Sequence, residues 1–346
     1  MKRVFDPRYL MLTLGLVIAM TGPAHAGRGD KAGTSAAPEL LIPIGARDFA
    51  VGGSTLASTS GIEAIYWNPA GLARMNSSSE AMFSHMNYIA DIGVEYIAVA
   101  STFEGFGSIG FDIKSLSMGE IAVTTEDNPD GTGERFSPTY LVLGLTYSRL
   151  LTDRISVGLT ASMISERIDR VSATGIAFNV GLQYSNFANV SGLGIGVAVK
   201  NIGPSMTFDG SGLIRQGTTT NTSRPATPVK LQAQSDELPS TIELGLAYTY
   251  RPQDNHALNF TGLFVNNNFS DDEYKLGLEY GFDNTFFLRG GYNFSQETQA
   301  DSYIYGLTAG AGLNYNFSGM NVTFDYAFRD VELFQSNHVF AIKLGF

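Results

Sequence analysis

The chain has 346 residues, of which 44% are hydrophobic, 12% aromatic and only 16% charged, with 39 glycines and no cysteine. Abundant aromatics at low charge exclude disorder, and the missing cysteines exclude a disulfide scaffold, a thiolate metal site, a cysteine nucleophile and a lipoprotein anchor. A net charge of −11 argues against a nucleic-acid partner, which requires a basic face.

The first segment reads as an export signal. Lys2, Arg3 and Arg8 precede an apolar run from Tyr9 to Met20, and Ala24-His25-Ala26 has the small-x-small pattern of a cleavage site. Removal of residues 1–26 takes away three basic residues and one acidic residue, so the net charge moves from −11 to −13. No later segment is long and apolar enough for a transmembrane helix. A membrane-embedded mature chain must then be a closed β-barrel, which satisfies every backbone group within lipid.

Residues 27–78 read as a separate N-terminal segment. Arg28 to Pro38 is small and polar, a flexible lead-in. Gly45, Gly52 and Gly53 mark a glycine-rich turn, followed by Gly61-Ile62-Glu63-Ala64-Ile65-Tyr66-Trp67-Asn68-Pro69-Ala70-Gly71-Leu72-Ala73. Asn68 and Pro69 carry turn chemistry. Trp67, the only tryptophan, is either a packed aromatic of a small plug or a ligand contact.

From residue 79 onward the chain alternates with a period of two. Ile242, Leu244, Leu246, Tyr248 and Tyr250 share one parity; Thr241, Glu243, Gly245, Ala247 and Thr249 share the other. Tyr274 to Phe282 repeats the pattern, as half-buried strands do. Strands are expected at 79–89, 92–103, 106–118, 137–150, 154–168, 175–187, 192–203, 238–251, 255–266, 272–283, 285–295, 302–317, 319–329 and 337–346. That makes about 14, an even number as bacterial single-chain barrels have. The links after even-numbered strands are short and most of the others longer, notably 119–136 and 204–237, which matches periplasmic turns and outer loops. Tyr147, Tyr184, Tyr250, Tyr280, Phe282, Tyr315, Phe317 and Phe346 fall at the ends of even strands on the apolar parity, where an interfacial aromatic girdle belongs. The expected fold is all-β: a transmembrane antiparallel β-barrel over 79–346, with an N-terminal hatch over 27–78 inside it. Phe340, Ile342, Leu344 and Phe346 alternate to the last residue, a pattern that resembles the ending read by the barrel assembly machinery.

By parity the lumen face carries Asp112, Lys114, Lys200, Glu243, Lys275, Glu279, Arg289, Asp325, Arg329 and Lys343. They would either hold the hatch by salt bridges or form a polar path for a solute. Gly158, Gly194, Gly196, Gly245, Gly277, Gly281 and Gly291 share that face and leave room for hatch or ligand. No catalytic constellation is present: Ser84 and His85 are strand neighbours and point to opposite faces. No metal-ligand spacing or nucleotide fingerprint occurs, so the chain is expected to be non-enzymatic and to use no metal or cofactor.

The stretch from Gly45 through Gly52 and Gly53 to Trp67-Asn68-Pro69-Ala70-Gly71 resembles the N-terminal signature of the PorV/PorQ family, within the FadL-like group of outer-membrane proteins. The match covers residues 45–75. It implies a 14-stranded barrel in the outer membrane of a Gram-negative bacterium, with its lumen plugged by the hatch. It further implies association with type IX-like protein secretion and surface attachment, with secreted cargo or secretion-system subunits as partners and the 204–237 loop as contact region. The usual family pattern has two acidic residues before the Tyr-Trp-Asn-Pro-Ala-Gly run; here only Glu63 remains. The FadL-like alternative is a transporter of long-chain fatty acids or other hydrophobic small molecules, for which a kink near the glycines of the seventh strand would speak.

Overall fold

A computed structural model of the chain describes residues 33–217, 227–295 and 303–346. The export signal, residues 28–32 of the lead-in, the middle of the 204–237 loop and the first residue of the expected 302–317 strand lie outside the described residues.

Fourteen strands form one antiparallel sheet. They are β1 (Ser79–Asn87), β2 (Gly93–Phe103), β3 (Gly107–Ser117), β4 (Thr139–Leu150), β5 (Ile155–Ile168), β6 (Val171–Ser185) and β7 (Leu193–Ile202). Then follow β8 (Thr241–Gln253), β9 (His256–Asn267), β10 (Glu273–Phe282), β11 (Phe286–Ser295), β12 (Tyr305–Phe317), β13 (Met320–Val331) and β14 (Asn337–Gly345). Each pairs with its sequence neighbours, and β14 pairs back with β1 from Glu80 opposite Gly345 to Asn87 opposite His338. The sheet is a closed barrel without a free edge.

The alternation sorts side chains to two faces. Ile97, Leu145, Leu288 and Leu307 are half or more exposed on the outside, whereas Tyr96 and Ala98, their parity opposites on β2, are 1% exposed. An apolar belt of this extent suits hydrocarbon, not water. Tyr147, Phe282, Tyr315, Phe317 and Phe346 are among its exposed rings at one end of the barrel. At that end the links are short. Ser318 and Gly319 both have positive φ and join β12 to β13 in two residues, as hairpin turns that match strand twist require.

The largest boundary difference from the sequence expectation is at the start of β6. Residues 171–174 belong to β6, because Asp169 takes φ 50° and lets Ile168 pair directly with Val171. The β5–β6 hairpin is therefore long and its link is short. The β7 glycines, where a kink would have spoken for the FadL-like alternative, carry none: Gly194 and Gly196 pair regularly with Ala247 and Gly245, and the register break of β7 is at its other end. Phe178 pairs with Ile202 and Val180 with Val199, so β7 carries an extra residue there. Asn201 absorbs it at φ 59°, accepting the bulge through its N–H bond to Asn179 Oδ1. Beyond β7, Met206–Thr207 pairs with Ser235–Asp236, Asp209–Gly210 pairs with β6, and Ile214–Gly217 pairs with Thr227–Lys230.

Residues 33–78 run down inside the barrel. The Ala36 N–H donates to Glu237 O at the long-loop end, and the Arg74 guanidinium donates to Arg154 O in a short turn at the other end. Between them lie short helices, α1 (Ala46–Ala50) and α2 (Ala64–Trp67), and 3-10 turns at Pro38–Leu41, Gly61–Glu63 and Pro69–Arg74. Asn68 is extended, so the helix stops there; its side chain then caps the next turn by accepting from Ala70 N–H at 3.2 Å, with Pro69 at the first position. Gly53 has φ 73°, and a Cβ there would meet the Trp67 ring at 2.6 Å. Apolar clusters join this segment to the wall, for example Ile44, Ile62, Ile65 and Leu72 against Met82, Tyr96 and Ala98.

Candidate functional site: the lumen between plug and wall

The inward glycines explain how the plug fits. A Cβ on Gly158 would lie 2.2 Å from the Pro69 carbonyl carbon, and one on Gly277 would lie 2.6 Å from Val51 O. Gly196 and Gly245 meet Leu56, and Gly291 meets Val51 and Gly52. The space these glycines leave is filled by plug backbone, not by a ligand. Gly281 differs: its nearest neighbours are the wall residues Phe287 and Ala257. Plug backbone so close to the wall needs partners for its polar groups. Gln183 Nε2 donates to Leu56 O and Thr59 O, Asn68 Nδ2 donates to Leu56 O at 2.7 Å, and Thr308 Oγ1 donates to Ala50 O.

The lumen charges divide into two groups. Glu279, Arg289, Asp325 and Lys343 form a latch with plug residues. Lys343 Nζ lies 3.0 Å from Glu63 Oε2, Arg47 lies 3.4 Å from Glu279 and 3.7 Å from Glu63, and Arg289 bridges Glu279 at 2.6 Å and Asp325. Burial pushes the Glu63 carboxyl up, but Lys343 and Arg47 outweigh it and hold it below the usual carboxylate range. Asp48 has no such cation pair; burial, then the Glu63 charge, raise it to about 6, while Thr59 Oγ1 donates to it at 2.7 Å. Glu279 keeps Arg47 firmly protonated.

The other group, Asp112, Lys114, Lys200, Glu243, Lys275 and Arg329, lines a cavity of about 430 Å³. Its floor is plug: Leu40 to Pro43, Phe49, Tyr66 and Trp67. Tyr88 and Ser270, in links of the long-loop end, also line it. Lys114 Nζ donates to Ile42 O at 3.0 Å and stands 4.8 Å from the centre of the Tyr66 ring. Lys200 pairs with Glu243 at 3.0 Å and faces the rings of Tyr66 and Trp67 at 5.4 and 6.0 Å. Lys275 pairs with Glu273 at 2.7 Å. Arg329 donates to Asn337 and is stacked between Phe49 and Tyr305, at 4.6 and 3.8 Å. Trp67 is 7% exposed, and its Nε1–H donates to Ile44 O at 3.2 Å.

Sequence parity did not single out the plug ions Arg47 and Asp48 or the cavity rings of Tyr66, Tyr96 and Tyr305. Glu63 stood out only as the acid retained before the Tyr-Trp-Asn-Pro run. A carboxylate inside an otherwise apolar, glycine-marked segment was the available signal for it. The three described histidines do not join either group. His85 bonds Glu95 at 2.6 Å, His256 bonds Tyr280, and His338 bonds Tyr326.

No protein-family model matches the sequence, and no curated protein matches it. Solved structures do match in fold. The CymD monoaromatic hydrocarbon channel superposes with a TM-score of 0.55 at 14% identity, covering 88% of this chain and 98% of that one. The Pseudomonas putida toluene transporter TodX gives 0.54 at 12% identity, covering 85% and 96%. A Pseudomonas aeruginosa FadL homologue gives 0.50 at 10% identity, covering 88% and 98%. At these identities the likeness is one of architecture, and the chain has the closed fourteen-stranded barrel fold of these FadL-like outer-membrane channels.

Proposed function

We propose that the chain is a non-enzymatic outer-membrane channel for hydrophobic small molecules, with residues 27–78 acting as its hatch. The observation that carries this reading is the cavity of about 430 Å³ between plug and wall, floored by Leu40, Ile42, Pro43, Tyr66 and Trp67 and lined toward the long-loop end by Tyr88 and Ser270. A concave, mostly apolar site with a few placed polar groups is what a small ligand requires. The outward apolar belt and aromatic rings support a barrel set in lipid with its short turns toward the periplasm. The plug occupies the lumen below the cavity, so passage requires the plug to shift. The latch around Glu63 and Arg47 keeps it seated in the resting barrel.

Association with secreted cargo or secretion-system subunits has the resemblance of residues 45–75 as its support, and the cavity favours the channel. The test is uptake of toluene and of a long-chain fatty acid by cells with and without the chain, alongside a comparison of their secreted proteins. Reduced uptake with an unchanged secretome is the expected result. A changed secretome with unchanged uptake of both would overturn the channel in favour of the secretion role.

A further inference from the structure

Three side chains on the β2–β3 side of the cavity are buried without the partners that buried polar groups normally find. Tyr96 is 1% exposed, and its hydroxyl has no hydrogen-bond partner. Asp112 is 8% exposed, and its Oδ1 has none. Lys114 is 3% exposed and spends one of its three N–H donors on Ile42 O. Register puts them together: Tyr96 is opposite Lys114 across the β2–β3 pair, Ala98 is opposite Asp112, and Asp112 and Lys114 share the inward face two residues apart. All three line the cavity, with Tyr66 next to Lys114.

The other cavity charges are differently placed. Lys200 has Glu243, Lys275 has Glu273, and Arg329 is stacked between two rings and bonded to Asn337. Only at Tyr96, Asp112 and Lys114 do an ammonium, a hydroxyl and a carboxylate with a bare oxygen meet in one wall. A pure hydrocarbon would offer none of the three a partner and leave them buried and unsatisfied. A simple anion would satisfy Lys114 and Tyr96 but face the Asp112 carboxylate.

We infer that this trio is a subsite for a dipolar head group, so that the cavity takes a small apolar or aromatic α-amino acid, or an amphiphile with the same head, in preference to a bare hydrocarbon. The ligand carboxylate accepts from the Lys114 ammonium and the Tyr96 hydroxyl, its ammonium donates to Asp112, and its apolar body rests on Tyr66, Trp67 and Ile42. This specificity rests on the channel reading above and narrows it.

Trp67 is the only tryptophan and part of the cavity floor, so its emission reports occupancy of the full-length protein in detergent. Four probes divide the chemistry: phenylalanine, toluene, phenylacetate and 2-phenylethylamine, each transparent at the red edge of indole absorption. Phenylalanine is expected to titrate Trp67 at least tenfold more tightly than the other three. Lys114→Gln and Asp112→Asn should each lower the phenylalanine-to-toluene affinity ratio about tenfold, and Tyr96→Phe about threefold, the scale of one charged or neutral hydrogen bond. Heat-modifiable migration checks that each variant folds, and the wild-type probe series decides the matter even where one does not. Equal affinities for phenylalanine and toluene overturn the subsite and leave the channel standing. Equal affinities for phenylalanine and phenylacetate overturn the role of Asp112 and with it the dipolar class. Silence of Trp67 toward all four overturns the subsite, and the uptake test decides the channel by itself.

Discussion

If solutes pass through this barrel, the plug must move, and the absence of any native cysteine makes that testable by a single cross-link. The Ala57 Cβ lies 3.9 Å from the position a Cβ would take on Gly194 of β7, inside the roughly 3.5–4.5 Å window that a disulfide spans without distortion. Ala57 belongs to the plug stretch that Gln183 and Asn68 already tie down through Leu56 O. A double variant Ala57→Cys/Gly194→Cys therefore clamps plug to wall, with the new Cβ at position 194 meeting Ala57 O at 3.2 Å as its tightest contact. The loop it closes is well over 100 residues, for which chain-entropy arguments give about 5 kcal/mol of added stability. That is enough to outlast the ion pairs of the latch. In proteoliposomes or whole cells, uptake of a hydrophobic probe should fall to background in the oxidised form and recover on reduction, and the oxidised form should unfold at a higher temperature. Undiminished uptake with the disulfide shown to be complete would mean that solutes pass around a static plug, and the gating argument would fail.

Three other perturbations address plug and wall separately. Gly158→Ala places a methyl 2.2 Å from the Pro69 carbonyl carbon, a backbone atom that cannot swing away. Overpacking of this kind should cost about 1–3 kcal/mol, read as a lower unfolding temperature in detergent; an unchanged midpoint would refute the close fit. Lys343→Met leaves the buried Glu63 with only Arg47 at 3.7 Å, and losing one partner of a buried pair costs about 3 kcal/mol. Adding Glu63→Gln should restore most of that loss, and its failure to do so would show that Lys343 acts otherwise than through Glu63. Burial, and then the negative charge of Glu166, raise Glu39 from 4.5 to about 8. A raised carboxyl favours the folded state most below 4.5, and that contribution fades as pH rises through about 8. Protease sensitivity of the N-terminal segment should therefore increase from pH 5 to pH 8 in the wild type and less steeply in Glu39→Gln, where the Asp48 carboxyl still titrates; identical slopes in the two would count against the buried Glu39 carboxyl.

Much of the architecture could be read in one dimension because a strand's period of two is local. Ile242, Leu244 and Leu246 against Thr241, Glu243 and Gly245 assign sides without knowledge of any partner strand. Link lengths order the ends of the strands, and the aromatic ends of even strands mark which end is which. Where the reading slipped, at residues 171–174, the cause was a single residue in left-handed conformation, Asp169, and the β7 bulge, which the sequence did not announce, turns on another, Asn201. Neither is distinguished by residue type from the many exposed Asp and Asn residues in this chain.

Alternation and composition were thus sufficient for a closed barrel with an apolar exterior, and for ten charges assigned by parity to its interior. They carried no information about which of those charges meet. Lys343 reaches Glu63 across 280 residues and Arg47 reaches Glu279 across 232, and such pairs depend on where a descending plug crosses a curved wall. The same holds for the glycines. Their small size shows on any face, but whether the space belongs to Pro69, Val51 and Leu56 or to a ligand depends on backbone approaching from a distant part of the chain. The cavity, with Lys114, Asp112 and Tyr96 in its wall, exists only because the plug stops short of filling the lumen, and the volume left between two packed bodies is a property of their packing rather than of either sequence segment.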